Sequence, residues 1–169
     1  MIHQYSLADH QLTIGIPERI ARQLGLRDSF GNLLTNFTIG GPGENGEGSF
    51  VGQIAAERSE ELFKTTGDAT GSWVHDKNLN RTGTITLEIT QISDNVVTLV
   101  QLCQIYESLQ TNMPGLELTI SSVATGTSTT MVTGRDCYIQ KLANLTLASE
   151  AQRLTWVFTC GQVIYEYSR

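Results

Sequence analysis

Thr82-Gly83-Thr84-Ile85-Thr86-Leu87-Glu88-Ile89-Thr90 alternates at each of its nine positions. Thr82, Thr84, Thr86, Glu88 and Thr90 fall on one face. Gly83, Ile85, Leu87 and Ile89 fall on the other. A period of two over this length means a strand with one buried face and one wetted face. A helix would scatter the same residues around its axis.

The same reading extends in both directions. Upstream, Leu12, Ile14 and Ile16 alternate with Thr13 and Gly15, and Tyr5 and Leu7 precede them, so residues 3–16 read as a first strand pair. Pro17 suits the start of a short helix, Ile16, Ile20 and Leu24 fall four apart, and Gly25 is a stop. Residues 33–57 read as a hairpin around a glycine-rich loop, and residues 61–76 as a second hairpin turned through 66–71.

Downstream, Ser93-Asp94-Asn95 offers capping oxygens. Val96, Leu99, Val100, Cys103 and Tyr106 then share a helix face, closed before Asn112-Met113-Pro114-Gly115. Strands follow at 116–122, 127–133, 137–147, 153–159 and 162–167, with Gly161 as a tight turn between the last two.

Sequential strands this close pair antiparallel. The expected fold is therefore mainly β: a two-sheet antiparallel sandwich or barrel in one domain, 1–169, with one flanking α-helix. Composition agrees, with 169 residues, 40% hydrophobic, and 21 threonines that suit strands.

Several function classes are disfavoured. Net charge is −6, which lacks the basic footprint that gripping a nucleic acid needs. Apolar runs are far shorter than the roughly 20 residues of a membrane helix, and the N-terminus carries no secretory pattern. Cys103, Cys137 and Cys160 are odd in number and scattered, so reduced thiols are expected rather than a disulfide framework or a zinc site. His3, His10 and His75 have no metal-ligand spacing. Asp76 beside His75 is no dyad, because adjacent strand residues point to opposite faces. No nucleophile elbow or dinucleotide fingerprint occurs. The loop Gly41-Pro42-Gly43-Glu44-Asn45-Gly46-Glu47 lacks the Gly-Lys-Ser/Thr ending of a phosphate cradle, and its two glutamates would repel phosphate. No enzyme, cofactor or metal is expected. A catalytically bare, β-rich chain has strand edges to protect, and assembly is one way to protect them.

Residues 48–102 carry a familiar succession. Gly48-Ser49-Phe50-Val51-Gly52-Gln53-Ile54 leads to Thr65-Thr66-Gly67-Asp68-Ala69-Thr70-Gly71-Ser72. Then come Asn78-Leu79-Asn80-Arg81, the alternating strand with Gln91, Ser93-Asp94-Asn95, and the helix from Leu99. This resembles the core of the tail tube proteins of contractile-tailed bacteriophages, which are related to the tubes of type VI secretion systems.

The resemblance implies a homo-hexameric ring whose joined inner sheets surround a channel. It implies rings stacked into a tube inside a contractile sheath, with baseplate and tape-measure proteins as further partners. Viral DNA would pass without specific binding, and no membrane insertion is implied. Such a subunit is made in the host cytoplasm and resides in the virion. A ring of six copies would carry −36, six times the chain's −6, and an acidic wall repels DNA.

On that reading, Thr82, Thr84, Thr86, Glu88 and Thr90 line the lumen or meet a neighbour, and loop 41–47 reaches an adjacent subunit or ring. The helix face with Thr98, Gln101, Gln104 and Glu107 looks toward the sheath. The rival reading is a monomeric β-sandwich binding module, for carbohydrate for example. It expects exposed aromatics on a flat face, for which Tyr165 and Tyr167 are candidates, while Trp73 and Trp156 sit in apolar strand contexts.

Overall fold

The computed structural model describes residues 6–41, 51–108, 112–123 and 129–166. Nine strands and two α-helices run in the order β1 (His10–Gly15), α1 (Glu18–Leu24), β2 (Asn36–Gly40), β3 (Val51–Arg58), β4 (Phe63–Gly67), β5 (Trp73–Lys77), β6 (Gly83–Thr90), α2 (Asp94–Ser108), β7 (Leu116–Ser122), β8 (Thr129–Ile139) and β9 (Arg153–Tyr165). Seven strands make one antiparallel sheet in the order β2-β1-β7-β8-β9-β6-β3, and β4 and β5 make a separate pair. The fold is mainly β, as the alternation predicts.

The deciding stretch becomes β6, with Gly83, Ile85, Leu87 and Ile89 buried and the intervening residues half-exposed. Its buried side chains join Leu12, Ile14, Leu118, Trp156, Phe158 and others in one cluster. Ile20 and Ala21 of α1 and Leu99, Leu102 and Cys103 of α2 close that cluster from the helical side. Burying each such aliphatic side chain is worth about 1.5–3 kcal/mol, which is why the sheet's inner face fixes its register.

Both helices form, so the flanking helix has a companion. α1 ends where Gly25 takes φ 69 and its N–H reaches Ala21 O at 3.0 Å. Pro17 stands just before the helix rather than inside it. In α2 the buried seam runs through Leu99, Leu102 and Cys103, while Val96 and Val100 are half-buried against it.

Four connections differ from the sequence reading. Leu7–Asp9 is a 3₁₀ turn rather than part of a strand, and residues 1–5 lie outside the described residues. β1 pairs with β2 and β7, not with a strand before it. β2 and β3 are not a hairpin; they are the opposite edges of the sheet. The sheet curls enough that these edges approach at one corner, where a Cβ on Gly40 would fall 3.2 Å from Val51 Cγ2.

The third difference is that 129–139 forms one strand where two were expected at 127–133 and 137–147. A bulge at Arg135-Asp136 shifts its register against β7, with Asp136 at φ 53, and no strand continues beyond Ile139. The fourth is that β9 runs through Gly161 without turning. A Cβ on Gly161 would lie 3.4 Å from the Asp136 Cβ, so this glycine marks close packing against the bulge.

Candidate assembly surface

The wetted side of the seven-stranded sheet is a coat of threonine. Thr38, Thr13, Thr119 and Thr133 are successive cross-strand neighbours on β2, β1, β7 and β8; the first three reach the surface, while Thr133 is buried and donates its hydroxyl to Glu166 Oε2 at 3.5 Å. Thr84 of β6 stands between Glu57 of β3 and Thr159 of β9, Thr86 between Ala55 and Val157, and Glu88 between Gln53 and Thr155. The predicted residues Thr84, Thr86, Glu88 and Thr90 therefore belong to a face that crosses the whole sheet, not to one strand. Thr82 is exposed just before β6. The acids on the β3, β6 and β7 part of the face are Glu57, Glu88 and Glu117. Arg153 offsets Glu88 at 3.3 Å, an exposed pair of small energetic weight. Threonine suits this place because it favours the strand and keeps a neutral hydroxyl toward water.

This face is bounded by two edges without partners among the described residues. Among the described residues, β2 pairs only with β1, and β3 only with β6. Unpaired edges present rows of backbone donors and acceptors that invite another chain.

Between β3 and β6 the chain leaves the sheet as an arm. Ser59 N donates to Thr82 O at 2.9 Å, Asn78 N donates to Leu62 O at 2.8 Å, and β4 and β5 then pair from Phe63↔Lys77 to Gly67↔Trp73. Every residue of β4 and β5 is exposed. The register puts Phe63, Thr65, Trp73, His75 and Lys77 on one side of the arm. Thr65 Oγ1 and His75 Nδ1 lie 2.8 Å apart across that side. Phe63 is 53% and Trp73 68% exposed. A lone two-stranded hairpin with bare aromatics is marginal in water, so its ordering favours a covering partner.

The arm's tip is held by Asp68. Its Oδ1 accepts from Thr70 N at 2.9 Å, Thr70 Oγ1 at 2.6 Å and Ser72 N at 3.0 Å. The Thr70 hydroxyl first, then the Ser72 and Thr70 amides, hold its carboxyl below the usual range. A depressed folded-state value means the turn is strengthened above the unfolded carboxylate range, and that support is lost as pH falls through the lower folded value. Acidification below about pH 4 is expected to lower the protection of the Thr70 and Ser72 amides, relative to the intrinsic exchange rate at the same pH, while β6 stays protected, and Asp68→Ala is expected to do so at neutral pH. Unchanged tip exchange in the variant would contradict this role.

A second excursion joins β8 to β9. Leu142, Leu145 and Leu147 are 42%, 68% and 79% exposed. Residues 141–149 make no backbone hydrogen bond to another described residue, although their alternation reads as a strand.

The predicted loop fares differently. Gly41 is buried at φ 83, but Pro42, Gly43, Glu44, Asn45, Gly46 and Glu47 lie outside the described residues. The outward helix residues Gln101, Gln104 and Glu107 are exposed, and Thr98 is half-buried. Among the aromatics, Trp156 and Tyr165 (43% exposed) lie as expected and Trp73 does not. Trp156 is buried at 1%, Trp73 is bare, Tyr165 donates its hydroxyl to Ala56 O at 3.1 Å, and Tyr167 lies outside the described residues. The missed residues are thus Phe63 and Trp73 of the arm and Leu145 and Leu147 of the excursion. Their apolar character in polar surroundings was the available signal.

Two solved structures share this architecture. The sheath–tube complex of an extracellular contractile injection system, PVC, in its extended state contains a chain with TM-score 0.57 and 12% identity, covering 98% of this chain and 93% of its own. The sheath/tube terminator of that system gives TM-score 0.52 and 11% identity, covering 98% and 99%. At these identities the likeness is one of fold. No curated protein matches the chain in sequence. The family model described as the bacteriophage PhiTE tail tube protein matches residues 29–166, which include the arm, strands β2 to β9 and α2. The chain therefore belongs to the bacteriophage PhiTE tail tube protein family, and its role is that of a structural part of the phage tail tube, not an enzyme.

Proposed function

We propose that six copies of this chain close into a ring by joining sheet edges, with the threonine face inward and α2 outward, and that rings stack into a tube through which viral DNA slides. The observation that carries this reading is the threonine-rich outer face bounded by two edges that are open among the described residues. Ring closure pairs each edge with a neighbour's, which removes the edge altogether. A heterologous contact of this kind generates a ring when its rotation closes.

Residues Thr82, Thr84, Thr86, Glu88 and Thr90 then line the lumen with hydroxyls and a single carboxylate. The cation beside them, Arg153, is offset by Glu88, and the net negative charge of the chain keeps DNA off the wall. The exposed residues Gln101, Gln104 and Glu107 of α2 face the sheath, a partner seen with the tube of the PVC system. The arm and loop 41–47 reach adjacent copies in the ring or stack. The subunit is a single domain over residues 1–169. It is made in the host cytoplasm and ends in the virion tail tube, with baseplate and tape-measure proteins as further partners.

Electron microscopy of the purified chain at high concentration tests this. Hollow tubes of stacked rings are expected, and particles that stay single copies at every concentration would overturn it. Deleting residues 41–47 is expected to leave a folded subunit with the same circular dichroism but fewer and shorter tubes. Normal long tubes from the deletion would remove the loop from the assembly contact.

A further inference from the structure

We propose that Cys137 and Cys160 are a peroxide-sensitive modification site, closing into a cross-strand disulfide between β8 and β9. The two residues stand directly opposite each other in the β8–β9 register, and their sulfur atoms are 2.8 Å apart. Both are free thiols and both are buried. Directly opposed residues of antiparallel strands hold their Cα atoms about 4.5–5.5 Å apart. A disulfide spans about 4.4–6.8 Å between Cα atoms, so the backbone is already placed for the bond.

Gly134 makes the room. A Cβ there would lie 3.0 Å from Cys137 Sγ and 3.1 Å from Cys160 Sγ, so both sulfurs occupy space that any larger residue would fill. The remaining thiol, Cys103, belongs to α2 and makes no sulfur contact. Sequence spacing hides the pair, since only the strand register brings positions 137 and 160 together.

The chemistry is that of a dithiol and a small peroxide. The Cys137 S–H donates to Cys160, which favours the Cys160 thiolate against its burial and keeps Cys137 protonated. The Cys160 sulfur attacks one oxygen of hydrogen peroxide, the O–O bond breaks, and the departing hydroxide leaves as water with a thiol proton. Cys160 is then a sulfenic acid. The Cys137 sulfur attacks the Cys160 sulfur and displaces its hydroxyl, which leaves as a second water with the remaining proton. Two thiols and one peroxide become one disulfide and two waters: sulfur gives up two electrons and the peroxide takes them. The bond ties the two ends of the 141–149 excursion together, which restricts the unfolded chain and raises the unfolding temperature.

The test treats the folded, reduced, full-length protein with hydrogen peroxide, quenches in acid, alkylates the denatured chain and maps peptides without reduction. The expected result is one peptide pair joined through Cys137 and Cys160, a mass lower by two hydrogens, alkylated Cys103, and a higher unfolding temperature that dithiothreitol reverses. Alkylated Cys137 and Cys160 after exposure would overturn the proposal. So would a link through Cys103, or oxidation of either sulfur of the pair to a sulfinic acid in place of the link.

Discussion

Replacing Gly83 by alanine is expected to destroy the fold of the subunit. A Cβ at this position would lie 2.1 Å from the Glu57 carbonyl oxygen, 2.8 Å from Val163 Cγ2 and 3.1 Å from the Arg58 Cα. Two of these three atoms are backbone, so no rotamer change relieves the overlap. Strands β3 and β6 must separate just where the arm leaves them, next to the Gly83↔Cys160 pairing with β9. Losses above about 4 kcal/mol arise from such overpacking of a core, against a typical total of about 5–15 kcal/mol. Gly71 supplies the contrast. Unlike Gly83 it has a positive φ, 84, but nothing lies within 4 Å of its would-be Cβ. Gly71→Ala is expected to cost about 1–2 kcal/mol from conformation alone and to stay folded. Urea unfolding of both variants checks the pair. A folded Gly83→Ala with a near-native midpoint would show that β3 and β6 are less tightly paired than their register implies.

Replacing Trp73 by aspartate is expected to abolish long tubes while leaving the subunit as stable as before. The side chain is 68% exposed on an arm that has no core of its own, so its removal takes little from the fold. Tryptophan is over-represented among residues that dominate interfaces, where truncation costs about 2 kcal/mol or more. An aspartate in that place adds the cost of burying a charge. In the proposed ring of six the contact recurs six times, so even a modest loss per contact shifts the population to free subunits. Analytical ultracentrifugation, with unfolding followed by circular dichroism, separates the two effects. Tubes of normal length from the variant would take Trp73 out of the assembly surface. A large fall in unfolding temperature would make the residue part of the fold instead.

The local half of this fold can be read in the sequence, and the long-range half cannot. β6 is legible because all its positions alternate, and β7 because Leu116, Leu118 and Ile120 fall on one face between breaks. Gly25 is legible as a helix stop because a glycine after the last apolar position has one common use. Pairing is another matter. Alternation says that β2 and β3 are strands but not that they sit at opposite edges, since the preference for sequential pairing was overruled by the core that β1 builds with β7. Gly161 was read as a turn because glycine permits one, whereas here it makes room beside the Asp136 bulge. Leu145 and Leu147 alternate like a strand yet pair with no strand among the described residues and stay exposed, so their pattern is that of a bare surface rather than of a strand.

Of the candidate site, the wetted side of β6 was legible in full, because polarity and period coincide there. Its continuation through Thr13, Thr38, Thr119 and Thr133 was not, because only the register aligns them. The arm's aromatics were hidden by the assumption that apolar residues in a strand are buried, which fails where a strand pair leaves the core.

A cryo-electron microscopy map of the assembled protein, resolved well enough to place side chains, tests the central claim most directly. The account predicts a sixfold ring in which β2 of one copy meets β3 of the next and Thr84, Thr86 and Glu88 point into the channel. A ring joined through other elements, or a channel walled by α2 or by cationic side chains, would contradict it.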